Sequence, residues 1–429
     1  MDGLHRTIAQ LHGLRRRFEK LLAGAQERGA CRSEALANQP IRLREVRAFG
    51  SNPGNLRMRV FIPDQLVGAP ALVVALHGCT QTGDEYDCGT GWSTLADRHG
   101  FVVVCPQQQL SNNPKNCFSW FLPGDISRDQ GEALSIRQMV DHAIAKFGVD
   151  PRKVFVTGFS SGGAMASAML ATYPDIFAAG AIVAGLPYGC AASVKEAFEV
   201  MFTEQSRCAQ ELGDRVRVAS KHSGPWPRLS LWHGTADAIV NASNAESIIR
   251  QWTNVHALQV HPSDEEIIAG QIRRTWNDTS GNTTIEFFSI IGMPHGVPIS
   301  SAMGPQSCGA PGPFFLDVGV SSTHHIVKFW GLEANSAEAL QIAAATTRAP
   351  WEELAVPASR IGSVTGPNNS DDVDATHRDF DPNPVIAAAF RAAGLSAPNV
   401  PSALRRARPR VAPGPIIEAA LRAAGLLRR

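Results

Sequence analysis

The stretch "VFVTGFSSGGAMASAML", residues 154–170, decides the reading of this chain. Val154–Thr157 is a short apolar run of β-favouring residues. Four of the next six positions are Gly or Ser pairs, and an alanine- and methionine-rich run follows with the character of a buried helix. Strand, tight turn and helix in that order give a meaning to Gly158-Phe159-Ser160-Ser161-Gly162, a match to G-x-S-x-G. Centring the pattern on Ser161 fails, because Phe159 stands where glycine is required. The turn therefore presents Ser160. Side chains two positions before and after it would strike neighbouring backbone, which explains Gly158 and Gly162. A helix over 161–173 would put the Ser160 oxygen at its positive end, where the Ser161 N–H can meet a developing anion.

Working outward, further strand-like runs lie at Leu56–Ile62, Ala71–Leu76, Phe101–Cys105, Ala181–Ala184, Leu229–Trp232 and Thr284–Ile291. Helix-like runs fall at 92–98, 131–147, 243–254 and 322–330. Unbroken apolar strands such as "ALVVAL" suit a sheet covered on both faces, and the alternation predicts an α/β fold with a largely parallel sheet. Residues 190–227 have weak periodicity and read as an insertion near the sheet's edge. The predicted organisation is an N-terminal amphipathic helix and linker over 1–40, a catalytic domain over 41–335, a linker over 336–383 and a basic helical tail over 384–429.

Leu4, Ile8, Leu11, Leu14, Phe18 and Leu21 recur at steps of three and four, so the helix over 4–22 should dock on the body, with 23–40 as linker; contact with a lipid or granule surface is the alternative. In the tail, "PVIAAAFRAAGL" (384–395) and "PIIEAALRAAGL" (415–426) repeat one pattern, each opening on Pro and closing on Gly as short helices do. They read as a pair of packing helices, or as a docking element for a polymer granule or anionic surface. Residues 401–429 carry seven arginines against Glu418 alone.

The whole chain has 429 residues, 44% of them hydrophobic and 18% charged, which supports a large core rather than disorder. A formal net charge of +1 gives no global field for nucleic acid. Eight cysteines without a C-x-x-C pair suggest neither a disulfide scaffold nor a zinc site. No apolar stretch approaches the about 20 residues of a membrane span. Charged residues from Arg6 to Lys20 interrupt any signal-peptide core, so the sequence by itself reads as cytoplasmic.

Three further motifs surround Ser160. "ALVVALHGCTQTGDEY" is a strand ending in His77-Gly78-Cys79, placed where a second oxyanion donor belongs, so the expected donors are the N–H groups of Cys79 and Ser161. His77 is expected to brace that loop. After strand "LSLW", Asp237 in "HGTADAIV" fits the acid; Asp264 and Asp278 lack that placement, and a capping role for Asp237 is the plain alternative. His295 in "GMPHGVP" follows a strand and fits the base, ahead of His324, His325 and His233. Ser160, Asp237 and His295 would then work as nucleophile, acid and base, with no metal or cofactor.

"LHGCTQTGDEY", "GTGWSTLADRHGFVVVCPQQ", "NCFSWF", "GFSSGGAMASAMLATYPDIFAAGAIVAGLPYGCA", "HGTADAIV" and "GMPHGVP" together resemble the polyhydroxybutyrate depolymerase-type esterases. The resemblance covers about residues 55–330. It implies an α/β-hydrolase fold, serine esterase activity, a Ser160–Asp237–His295 triad and Cys79 in the oxyanion loop. It also implies a Cys79–Cys117 disulfide. Its substrates would be poly(3-hydroxybutyrate) or short hydroxyalkanoate esters, with feruloyl or acetyl esters as the alternative. Trp120 would line the cleft or simply pack in the core. Many members of the family are secreted, which this N-terminus does not match. A non-catalytic surface-binding protein and an acyl transferase are the remaining readings; the intact motifs argue against the first.

Overall fold

A computed structural model describes residues 2–30, 39–204, 207–302, 304 and 307–333. The repeated segments at 384–395 and 415–426, and the linker before them, lie outside the described residues. The strands are β1 (Arg44–Val46), β2 (Arg57–Phe61), β3 (Ala71–Leu76), β4 (Phe101–Gln107), β5 (Val154–Phe159), β6 (Ala179–Val183), β7 (Arg228–Gly234), β8 (Asp264–Ile268), β9 (Gln271–Asn277) and β10 (Thr283–Ile290). They form one sheet in the order β1-β2-β4-β3-β5-β6-β7-β10-β9-β8. The six strands from β4 to β10 in this order run parallel, while β1, β2, β9 and β8 run antiparallel to their neighbours at the two margins. This is the sheet of an α/β-hydrolase. A small parallel pair, β11 (Val297–Ile299) and β12 (Phe315–Asp317), stands apart from it.

Helices cover both faces, and the strand residues alternate between two cores. Ala71, Val73 and Ala75 of β3 join one cluster with Trp92, Phe155 and Trp330; Leu72, Val74 and Leu76 join the other with Met139, Met169 and Trp252. Every residue of β3 is buried, which is why its sequence shows no polar alternation. Helix packing comes from α1 (Asp2–Ala30), α2 (Gly83–Thr90), α3 (Trp92–His99), α4 (Pro123–Ile126), α5 (Gly131–Phe147), α6 (Ser161–Thr172), α7 (Val194–Phe202), α8 (Ala209–Arg217), α9 (Ser243–Val255) and α10 (Ser322–Trp330).

Two expectations are corrected. Helix α1 runs on into the presumed linker as far as Ala30, and Ala25 is buried along with Phe18 and Leu22, so the docked face extends past residue 22. Residues 190–227 are not at the sheet's edge. They form the crossover between the central strands β6 and β7 and contain α7 and α8, each of nine residues and too short to show a firm helical period.

Candidate active site

The parallel register brings four loop ends together. Leu76 of β3 sits opposite Gly158 of β5, so the His77–Cys79 loop emerges beside the Ser160 turn. Phe159 lies opposite Val183 of β6, and the Ser160 N–H donates to the Val183 carbonyl at 2.9 Å. On the other side, Gly234 of β7 pairs with Ile290 of β10. The loops that follow these two strands are laced together: Thr235 N–H donates to Ile290 O at 2.9 Å, and Ala236 N–H donates to Met293 O at 3.1 Å.

Ser160 holds φ 56° and ψ −117°, a conformation that costs a non-glycine residue about 1–3 kcal/mol. The surrounding backbone enforces it. A Cβ on Gly158 would stand 2.2 Å from Gly162 O, and one on Gly162 would stand 2.2 Å from Leu76 O. Ser161 then begins α6, so its N–H has no partner within the helix. Across the gap, Gly78 N–H donates to Gln81 Oε1 at 2.8 Å and Thr80 N–H to Lys115 O at 2.6 Å. The Cys79 N–H between them makes no hydrogen bond among the described residues. A disulfide joins Cys79 to Cys117, fastening the His77–Cys79 loop to the "NCFSWF" loop.

His77 braces this arrangement from behind. Its Nε2 accepts the Gln108 N–H at 3.0 Å, so Nδ1 carries the proton and donates to Gly78 O at 2.8 Å. Burial pushes its pKa down to about 4, and the ring is neutral at pH 7. The second loop is anchored by Glu132 of α5, whose carboxylate oxygens accept from Gln108 Nε2 at 2.6 Å and Ser119 N–H at 2.9 Å. Burial, with the Asp125 charge nearby, pushes the Glu132 pKa up to about 8.

Ser160, His295 and Asp237 form one hydrogen-bonded chain. His295 Nδ1 donates to Asp237 Oδ2 at 2.6 Å, leaving Nε2 free to accept the Ser160 hydroxyl at 2.9 Å. All three are buried, with 5–7% of each residue exposed, so the Ser160–His295 hydrogen bond is shielded from bulk water. Phe159 packs its ring 4.8 Å from the His295 ring. Asp237 Oδ1 accepts the N–H groups of Ile239 and Val240, each at 2.9 Å. It therefore ties its own turn and does not cap α9. Burial alone would raise its pKa, but the His295 charge and hydrogen bonds from His233 and His295 outweigh it and hold the carboxyl well below the usual range.

His233 is the residue whose part was not read from sequence. Its Nε2 lies 2.9 Å from Val240 O and 3.3 Å from Asp237 Oδ2; both are acceptors, so Nε2 carries the proton. Its Nδ1 is buried without a hydrogen-bond partner among the described residues, and His233 lines a cavity of about 250 Å³ with Thr235, Ser243, Glu246 and Arg274. The four-residue spacing from His233 to Asp237 was the available signal. The other sequence candidates lie elsewhere. Asp264 is exposed on β8, and Asp278 closes a turn by accepting from the N–H groups of Ser280 and Asn282. His324 and His325 are on α10, with His325 packed against Trp232 and Phe288. Trp120 is buried in the "NCFSWF" loop, edge-on to Phe121 at 5.5 Å.

Residues 60–264 match the family described as esterase PHB depolymerase. Poly(3-hydroxyalkanoate) depolymerase C of Paucimonas lemoignei is 43% identical over 291 residues, covering 68% of this chain and 70% of that protein. The chain belongs to the PHB depolymerase esterase family. An acetylxylan esterase of Coprinopsis cinerea is 38% identical over 265 residues, covering 60% of this chain and 70% of that protein. The solved acetyl xylan esterase from Aspergillus awamori superposes with a TM-score of 0.58 at 26% identity, covering 68% of this chain and 99% of that one. The protein is accordingly a carboxylic ester hydrolase of the α/β-hydrolase superfamily. Among its described residues no helix is long and apolar enough to cross a membrane.

Proposed function

We propose that this esterase cleaves 3-hydroxyalkanoate esters through an acyl-enzyme on Ser160. The hydrogen-bonded chain Ser160–His295–Asp237 carries the mechanistic part of this reading. The 43% identity to a poly(3-hydroxyalkanoate) depolymerase supports the acyl group.

Ser160 Oγ attacks the ester carbonyl carbon as its proton passes to His295 Nε2. The carbonyl oxygen becomes an anion between the N–H groups of Cys79 and Ser161, where a well-placed donor lowers the barrier by about 3 kcal/mol. Collapse breaks the carbon–oxygen bond to the alcohol, which leaves with the proton from His295. Water then repeats the sequence: it loses a proton to His295, attacks the acyl carbon and releases the acid, and the proton returns to Ser160. Ionised Asp237 fixes the His295 tautomer and stabilises the imidazolium in both halves. Trp120, on the loop bonded to Cys79, supplies apolar wall beside the acyl group.

A second reading, hydrolysis of acetyl or other small acyl esters on polysaccharide, is favoured by the similarity to acetylxylan esterases. Hydrolysis of 3-hydroxybutyrate oligomers, p-nitrophenyl acetate, methyl ferulate and acetylated xylan by wild type and Ser160→Ala separates the readings. A preference for the hydroxybutyrate oligomers, with kcat lowered at least about 10⁴-fold by the substitution, is expected. Retention of the wild-type rate by Ser160→Ala would overturn the nucleophile. A preference for acetylated xylan would replace the acyl class and keep the mechanism.

A further inference from the structure

Helix α1 precedes the family match, which begins at residue 60. It is nevertheless built into the apolar body around Ser160. Phe18, Leu22 and Ala25 are buried in the same cluster as Cys79, Trp120 and Phe159. The Phe18 ring lies 5.6 Å from that of Phe198 in α7, and the Arg17 guanidinium lies over the Phe202 ring at 4.5 Å. At the other end of the docked segment, Gln26 Nε2 donates to Thr80 Oγ1 at 3.2 Å.

These contacts join two sides of the reaction centre. Thr80 directly follows Cys79 and holds φ 66°, so the helix touches the oxyanion loop at a residue in left-handed backbone. Helix α7 is tied to the segment after the acid: Asn241 N–H donates to Met201 O at 2.8 Å, and Asn244 Nδ2 donates to Val200 O at 3.0 Å. One helix thus reaches from the oxyanion loop to the crossover helix braced against the Asp237 segment. Ser160 itself keeps only 7% of its surface open.

We infer that α1 is a specificity-determining wall of the Ser160 site, seated by Phe18 and Leu22 and latched by Gln26, which admits short soluble esters and hinders bulky ones. The inference rests on Ser160 as nucleophile. A solid polyester offers a broad face, and a helix standing beside the Cys79–Thr80 loop narrows the approach of such a face; a short oligomer can thread past it. Substrate size is then decided by a segment outside the matched catalytic region.

The test weakens the seat of α1 in the full chain. Leu22→Asp puts a charge into the apolar contact; Phe18→Ala with Gln26→Ala is the milder variant, used where the first fails to fold. Trypsin reports release directly, since Arg15, Arg16, Arg17 and Lys20 lie on the docked helix. Each variant is compared with wild type on p-nitrophenyl acetate, methyl ferulate and a suspension of amorphous poly(3-hydroxybutyrate). Release of α1 is expected to raise activity on the polyester suspension, relative to the two soluble esters, about tenfold. With trypsin showing release, no relative gain on the polyester overturns the inference. Ser160→Ala in the same backgrounds keeps the two readings apart. Hydrolysis that survives it refutes the nucleophile, whereas Ser160-dependent hydrolysis with an unchanged size preference refutes only the wall.

Discussion

The two flanks of β10 handle charge in opposite ways. On one side, in the loop after β7, Asp237 is buried and served by His295, His233 and two backbone N–H groups. On the other, the β8–β9 hairpin sets Glu265 against Arg274 at 2.9 Å, while Arg274 also reaches Glu246 at 3.3 Å. The Glu265 side chain is 55% exposed and its lost partner can be replaced by water. A buried charge held by several donors transmits any single loss to the chemistry; an exposed ion pair absorbs it. The two sites share a sheet but not a sensitivity.

The sharpest way to break that contrast is at His233, a positioning residue for Asp237. Removing its donor in His233→Met should lower kcat about 10–100-fold, the range expected when a hydrogen bond to a charged group is lost in the transition state. The carboxylate left with fewer donors becomes more basic and holds the imidazolium more tightly, so the acid limb of kcat/KM should move to higher pH. His233→Gln, which can restore the donor, should recover most of the rate. A melting-temperature loss without movement of the pH profile would mean that His233 only packs.

A smaller effect is expected at Glu132, behind the disulfide-linked loop. Its pKa rises from 4.5 to about 8 on folding, so the folded protein keeps a proton that the unfolded chain releases. This contribution is fully present below about pH 4.5 and is lost as pH rises through about 8. Glu132→Gln mimics the protonated form, and its melting temperature should gain on wild type between about pH 5 and 8 and level off above that. A difference that stays flat across that range would show that this carboxyl titrates normally. The smallest effect belongs to the hairpin: Glu265→Ala should change stability by less than about 1 kcal/mol and leave kcat/KM within error. A larger loss in chemical denaturation would make the hairpin as exacting as the reaction centre.

The same contrast governs how much could be read in advance. Strands β3, β4 and β6 are legible as apolar runs and β5, β7 and β10 as apolar-rich ones, the helices α5 and α9 are legible because their periods extend over several turns, and α6 because it is alanine-rich and apolar on every side. The hairpin is not: Asp264-Glu265-Glu266 and Arg273-Arg274 place charge at successive positions and leave no alternation to follow. Helix α2 was missed although it carries a readable start, since Thr82 and Glu85 form a reciprocal cap across "TGDE". Ser160, Asp237, His295, Cys79 and Ser161 could be put forward because a sharp turn demands glycines at fixed spacing and because loop order follows strand order, and the fold joins Ser160, His295 and Asp237 by hydrogen bonds. Phe159 and His233 could not, since their parts depend on which ring or carboxylate folding brings beside them.

Sequence by itself thus determined the strand–turn–helix around Ser160, the parallel sheet and the order of the groups that converge on it. These follow from local sterics and hydrophobic period, which act over a few residues. Tertiary structure alone decided that His233 serves Asp237, that Glu132 fastens the second loop, and that α1 spans from Thr80 to Phe198. Gln26 and Thr80 are 54 residues apart, and His295 and Ser160 are 135 apart. Contacts between positions so far apart have no local signature, because only the packed sheet fixes which distant side chains share a place.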